Sequence, residues 1–332
     1  MIHSDATSLR RLQCMELRGG SGAADEHLAM PGLDVWVVSR PYRAAASGGD
    51  VHYVSTCATG RIARVLVADV SGHGVDVGGV AAELRDLMAR YVNFLDQRKF
   101  FAAMNRRFTA MHHDGGFATA VVVTYFAPTA TLSVSNAGHP PPLLWRGAER
   151  RWSFLQQSGA GDGAAAGGGG ANMPLGVLDA ARYDGFDVPL GERDLVLCYT
   201  DALTESRGAD GDLLSMAGLL EVARGVDGND PAAVVTHFVA ALQDLWPGNL
   251  TADDTTLLVL RPNGGGRRVA WQDRLAAPLR VAHGVLRSLT RRGAATPWPE
   301  LSLVNIGGAL FHPLSVRRGR RQSPQHATER GR

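Results

Sequence analysis

The chain has 332 residues, 45% hydrophobic and 20% charged, with a formal net charge of +2. That balance fits a globular protein with a sizeable core, and no run reaches the roughly 18 apolar residues of a membrane-spanning helix. The N-terminus lacks the apolar stretch of a secretory signal, and Cys14, Cys57 and Cys198 are isolated with no CxxC, so a cytoplasmic protein without disulfide framework or zinc site is expected.

Residues 1–31 are polar and Gly-rich and read as a leader, frayed or forming one short helix. Ordered structure is expected from Gly32. DVWVVS (34–39) reads as a strand and PYRAAASGGD (41–50) as a loop. VHYVSTC (51–57) and RVLVADV (64–70) read as a hairpin, with Gly60 supplying positive φ in its turn. Val80, Leu84, Leu87, Met88, Tyr91 and Leu95 fall on one stripe at helical spacing, and Phe100, Phe101, Met104, Phe108 and Met111 on a second. Two helices therefore follow the hairpin.

FATAVVVTYF (117–126) and TLSVSN (131–136) predict another hairpin, with a further short strand at PLLWR (142–146). Residues 158–171 are too rich in Gly to pack and read as a disordered surface loop. Strands resume at 183–190 and 194–200, helices follow at 219–224 and 231–246, and TTLLVLRP (255–262) is the last strand. Strands and helices come in blocks rather than in βαβα alternation, which predicts an antiparallel α+β arrangement with helices covering the sheets.

The acids that could carry chemistry sit where strands meet loops. Asp50 closes SGGD, Asp69 ends the apolar run VLVAD, Asp201 ends LVLCYTD, and Asp253 and Asp254 precede TTLLVL. A carboxylate at the tip of a buried strand is costly unless it is paired, hydrogen-bonded or bound to metal. Oxygen ligands without cysteine select hard cations such as Mg2+ or Mn2+, and Gly48, Gly49, Gly72 and Gly74 let backbone approach closely. Each aspartate alone has an ordinary reading as a turn former or helix N-cap. Their joint occurrence, in order, is the signal.

GGD, ADVSGHG, NAGHPPPLL, PLGV, GERDLVLCYTDALTES and DDTTLLVL occur in one series over residues 32–262. The series resembles the bacterial metal-dependent serine/threonine phosphatases related to protein phosphatase 2C, in the branch typified by the stage II sporulation protein E phosphatase domain. The resemblance implies an α-β-β-α sandwich of two antiparallel sheets flanked by helices, with two divalent ions, Mn2+ or Mg2+, at one end. It implies Asp69 as the aspartate bridging both metals and Val70 as the donor of a backbone carbonyl. Asp50, Asp201 and Asp253 match further metal-associated aspartates. Asp254, Gly72, Asn136 and His139 would support them.

Two departures stand out. Ala202 replaces the Gly of the usual YTDG, which would strain the backbone by about 1 kcal/mol or more if the position required positive φ. Val51 and His52 replace an aromatic pair after GGD, with His52 read as a strand histidine. His73 and His139 are the candidate general acids. His73 stands four residues after Asp69, whereas eukaryotic relatives place theirs two after, so capping of the Gly72–Gly74 turn is the competing role. His139 is expected to shape its loop, with Asn136 bonding the turn.

The resemblance implies hydrolysis of phosphoserine or phosphothreonine, and with no CxxxxxR or GxSxG nucleophile motif present the expected route is direct attack by metal-activated water without a phosphoenzyme. By analogy the substrate is a phosphorylated anti-sigma-factor antagonist in a partner-switching circuit. A leader of this length has no room for a sensor domain, so regulation would come from a separate protein or from the tail. The rival is a catalytically weak scaffold that binds a phosphoprotein or signalling partner.

From Gly264 onward thirteen Arg face three acids, giving a tail of +10 and leaving the rest of the chain near −8. The acidic body speaks against nucleic-acid binding. Residues 263–332 are read as a basic, partly helical tail that packs on the body and ends in disorder, in preference to lying on an anionic membrane.

Overall fold

Period-two burial in the strands and period-3.6 burial in the helices set the architecture. The computed structural model describes residues 9–13, 16–57, 60–71, 77–90, 97–111, 116–155 and 172–265. The strands β1 (Leu9–Arg11), β2 (Leu17–Gly20), β3 (Ala24–Met30), β4 (Leu33–Arg40), β5 (Asp50–Thr56) and β6 (Ile62–Ser71) come first. Helices α1 (Val77–Arg90) and α2 (Gln97–Met111) follow. Next are β7 (Phe117–Phe126), β8 (Thr131–Ala137), β9 (Leu143–Arg146), β10 (Arg151–Phe154), β11 (Gly185–Pro189) and β12 (Leu195–Tyr199). Helices α3 (Ser215–Arg224) and α4 (Pro231–Leu245) precede the last strand, β13 (Thr255–Pro262).

One sheet has the order β1-β3-β4-β13-β12-β9-β10 and the other β11-β8-β7-β6-β5-β2. All pairings are antiparallel except β1 with β3. The inner faces meet through Val35, Val37, Val54, Val65, Val67, Val121, Val123, Val196, Cys198, Leu258 and Leu260. The alternate residues of β5–β7 (Val51, Leu66, Ala68, Val122) pack outward against Leu84, Met88, Phe101 and Met104 of α1 and α2. Those of β12 and β13 (Leu195, Leu197, Tyr199, Leu257, Val259) pack against Leu219 of α3 and Val235, Phe238 and Leu242 of α4. The result is four layers, helix, sheet, sheet and helix, the sandwich that the family resemblance implies.

Helix α4 shows the local logic. Asp230 caps it by accepting a hydrogen bond from Ala232 N at 3.1 Å, and Pro231 stands at its first turn, where a missing N–H is harmless. Phe238 on its inner face meets Trp152 edge-on at 5.6 Å, and the Trp152 indole donates to Val226 O at 2.8 Å. A buried aromatic of this kind stabilises by about 3–5 kcal/mol against truncation to Ala.

The predicted strands at 34–39, 51–57, 64–70, 117–126, 131–136, 142–146, 183–190, 194–200 and 255–262 are all present, shifted by a few residues at most. The leader is corrected. Residues 9–30 contribute β1, β2 and β3 rather than a frayed coil or a helix. β3 is half exposed, so its polar residues Asp25, Glu26 and His27 mask the buried Leu28 and Met30. In β2, Gly19 (φ +121°) lies so close to β5 that an added Cβ would stand 2.0 Å from His52 O. Glycine there permits strand pairing rather than preventing structure. The four-residue edge strand β10 was not predicted. The low-complexity segment 158–171, Gly72, His73 and the tail from residue 266 lie outside the described residues.

Candidate active site

The inner faces of the two sheets end in polar side chains instead of apolar ones. In the register of β5, β6 and β7, Asp50 stands opposite Asp69, and Asp69 opposite Thr119. These three share a face with Val54, Val67 and Val121, so they continue the inter-sheet surface to its end. On the facing sheet, Ser39 and Thr256 are register partners, and Thr200 follows β12. The Thr200 hydroxyl donates to Asp50 Oδ2 at 2.8 Å, crossing from one sheet to the other. Thr200 Oγ1 accepts from Thr256 N at 3.1 Å, and the Ser39 and Thr256 hydroxyls are 3.0 Å apart.

Asp201 begins a short 3-10 turn, Asp201–Leu203, that leaves β12. Ala202 lies within this turn and has no positive φ, so the Gly-to-Ala departure carries no strain. Asp253 is exposed and its Oδ1 caps Asp254 N at 2.7 Å. Asp254 braces the loop before β5: its Oδ1 accepts from Tyr42 N at 2.6 Å and its Oδ2 from Gly49 N at 2.5 Å. The glycines of GGD are explained by this approach. A Cβ at Gly48 would lie 2.2 Å from Asp254 Oδ1, and one at Gly49 would lie 3.1 Å from the Val70 carbonyl and 3.5 Å from Asp69 Oδ1. Val70 N in turn donates to Gly49 O at 3.1 Å.

The acids feel one another. Burial, together with repulsion from Asp201, Asp253, Asp254 and Glu205, pushes the Asp69 carboxyl up to about 7. Burial pushes Asp50 up to about 8, against hydrogen bonds from Thr200 and Thr256, with Asp69 and Asp254 adding to the rise. Asp201 is also raised, by burial and then by Glu205 and Asp253. Among the described residues none of these six carboxylates forms an ion pair with a basic side chain. A site that gathers this much like charge without a counter-charge fits a divalent cation. As they stand, no three His, Cys, Asp or Glu side chains among the described residues are close enough to hold a metal ion.

The structure thus brings Asp50, Asp69, Val70, Asp201, Asp253 and Asp254 to one end of the sandwich. Asn136 and His139 lie just behind. Asn136 Oδ1 accepts from His139 N at 2.8 Å and its amide donates to His139 O at 2.7 Å, the turn the sequence predicts. His139 is buried, with Nε2 3.0 Å from Tyr199 O and Nδ1 2.8 Å from Thr119 Oγ1. A carbonyl only accepts, so Nε2 carries the proton and Nδ1 accepts from the threonine hydroxyl. Burial pushes its pKa down to about 4. Both ring nitrogens are occupied, which leaves no proton to give a leaving group. His52 is buried between the sheets, lowered by burial to about 4. Sequence reasoning missed Thr119, Thr200, Thr256 and Glu205. The three threonines carried a signal, a hydroxyl in phase with the inner apolar residues at strand ends, whereas Glu205 had none.

A cleft of about 120 Å3 opens beside Asp253, bordered by Ala202, Glu205, Arg207, Trp246 and Leu250. Trp246 is 42% exposed there.

Residues 59–263 match the family model of stage II sporulation protein E (SpoIIE). The chain belongs to the SpoIIE family. Solved structures agree on the fold, that of the PP2C-type phosphatases. The PP2C phosphatase domain of SpoIIE with a fragment of its regulatory domain, from Bacillus subtilis, superposes with a TM-score of 0.57 at 15% identity, covering 74% of this chain and 70% of that one. The RsbU and RsbW domains of Rv1364c from Mycobacterium tuberculosis give 0.55 at 19% identity, covering 88% and 76%. The SiaA-PP2C domain of Pseudomonas aeruginosa gives 0.54 at 17% identity, covering 68% and 85%. No curated protein sequence matches the chain. Among the described residues no helix is long and apolar enough to cross a membrane.

Proposed function

We propose that this SpoIIE-family chain is a metal-dependent protein phosphatase that hydrolyses phosphoserine or phosphothreonine on a regulatory protein. The observation that carries the reading is the register pairing of Asp50 with Asp69, facing Asp201 and Asp253 across the sandwich end, with none of them in an ion pair to a basic side chain among the described residues. Asp69, paired in register with Asp50 and feeling the charges of Asp201 and Asp253, would be a ligand to the ions. Asp50, Asp201 and Asp253, with the carbonyl of Val70, would complete the ligand set. Bound Mn2+ or Mg2+ would supply Lewis acidity, lowering the pKa of the attacking water and neutralising phosphoryl oxygens.

The chain's own groups hold and orient. Thr200 fixes the Oδ2 oxygen of the Asp50 carboxylate. Asp254 holds the GGD loop against Asp69. Water adds to phosphorus, the bond from phosphorus to the serine oxygen breaks, and that oxygen takes a proton as it leaves. His73, four residues after Asp69, is the chain's candidate donor of that proton. The cleft beside Asp253 is open to a phosphorylated segment of a partner protein. By family analogy the substrate is an anti-sigma-factor antagonist in a partner-switching circuit. The structural relative that joins RsbU and RsbW domains in one chain is in keeping with such a circuit.

The alternative is a scaffold that binds a phosphoprotein without turnover. Hydrolysis of p-nitrophenyl phosphate separates the two. The phosphatase reading expects turnover that needs Mn2+ or Mg2+ and stops on chelation. A folded protein that binds Mn2+ yet shows no turnover on this ester or on a phosphoserine peptide supports the scaffold.

A further inference from the structure

The two acid-bearing strand ends belong to different sheets, and something must set the distance between them. Asp69 stands opposite Thr119 on β7, and Thr119 Oγ1 meets His139 Nδ1 at 2.8 Å. The other ring nitrogen of His139 meets Tyr199 O at 3.0 Å, two residues before Asp201. A single flat ring of fixed width therefore spans from the partner of Asp69 to the strand that delivers Asp201.

The ring itself is held firmly. Asn136 grips both the N–H and the carbonyl of His139. The preceding Gly138 has φ +70°, and a Cβ on it would lie 2.6 Å from Pro174 Cγ, so the loop is pressed against Pro174. His139 is 5% exposed. An aliphatic side chain would fill such a space without the cost of desolvating an imidazole. The histidine is explained by its two opposed hydrogen bonds, which only one neutral tautomer satisfies together.

We infer that His139 is a positioning residue: it sets the gap between Asp69 and Asp201, and through that gap the spacing of two divalent ions. The inference deepens the phosphatase reading and rests on it for the presence of the ions. It concerns the ring as a spacer and requires no proton transfer.

The test uses the full-length protein loaded with Mn2+, read by electron paramagnetic resonance and by calorimetric titration. Thr119→Val cuts the tie at one end and leaves His139 in place. His139→Gln keeps a donor for Tyr199 O but loses the rigid span. Both variants are expected to bind the first Mn2+ normally, to bind the second about tenfold or more weakly, and to lose the spin-coupled signal of a metal pair. Thr119→Ser, which keeps the hydroxyl, is expected to retain the coupled signal. Variants with a wild-type coupled signal and two unchanged affinities overturn the inference and leave the phosphatase reading intact. Equal weakening of both sites together with a lowered Tm also overturns it, since that is general loosening of the fold. A wild-type protein that binds no Mn2+ overturns the phosphatase reading itself, and this inference with it.

Discussion

Thr200 donates its hydroxyl hydrogen to Asp50 Oδ2 at 2.8 Å, and this bond joins the two sheets of the sandwich at the end where the acids gather. Thr200 also accepts from Thr256 N at 3.1 Å, so its rotamer is set by the neighbouring strand. Asp50 is thereby aimed before any cation arrives. Such aiming reduces the ordering cost of binding.

Replacing Thr200 by Val removes that aim while keeping the shape. A hydrogen bond to a charged group contributes about 1.5–3 kcal/mol, so metal affinity should fall roughly tenfold to a hundredfold. Thr200→Ser should recover most of it. Calorimetric titration with Mn2+ checks both variants.

Gly48 has no room for a side chain. Its Cβ would stand 2.2 Å from Asp254 Oδ1, and that carboxylate anchors Tyr42 N and Gly49 N. Gly48→Ala should displace Asp254, loosen the GGD loop and cost about 1–3 kcal/mol of stability. Phosphatase activity should drop by more than this stability loss explains. Chemical denaturation and steady-state kinetics on the same preparation measure the two effects.

The acid cluster makes the metal-free protein sensitive to alkali rather than acid. Asp69 is pushed up to about 7 and Asp50 to about 8, whereas an unfolded Asp titrates near 3.9. Between those limits the folded state holds protons that the unfolded state has released. This contribution to stability is complete below about pH 4 and is lost as pH rises through about 7 to 8. In chelator, Tm should therefore fall across that window. Asp69→Asn should flatten the fall, and saturating Mn2+ should restore Tm at pH 8.

The helical layer provides a control for these effects. Phe238 sits against Trp152 on the far side of its sheet from the acids. Phe238→Ala should cost about 3–5 kcal/mol of stability. The molecules that remain folded should bind Mn2+ with unchanged affinity. Guanidinium unfolding and titration below the transition measure the two quantities.

Much of this architecture was legible because period and burial agree. Val65, Val67 and Asp69 alternate with Leu66, Ala68 and Val70, so the inward apolar series runs into an acid. The aspartates were visible as carboxylates interrupting apolar runs, and the GGD, DVSGHG and DDTT blocks gave their order. The strands at 9–30 were not visible. β3 presents polar residues to solvent, and the glycines of β2 look like a linker until β5 is seen at 2.0 Å from the place of a Cβ. The roles of Thr119 and Thr200 were hidden for a different reason. Their inward phase at strand ends is a local signal, but their partners, 139 for 119 and 50 for 200, lie on other segments, which no local spacing encodes.

The most direct test is phosphate release from a phosphoserine peptide, followed against Mn2+ concentration, for the wild-type protein and Asp69→Asn. The account predicts saturable, metal-dependent release by the wild type. It predicts a loss of about a hundredfold or more in kcat for the variant, with its fold preserved. An Asp69→Asn protein that releases phosphate at the wild-type rate would contradict the account.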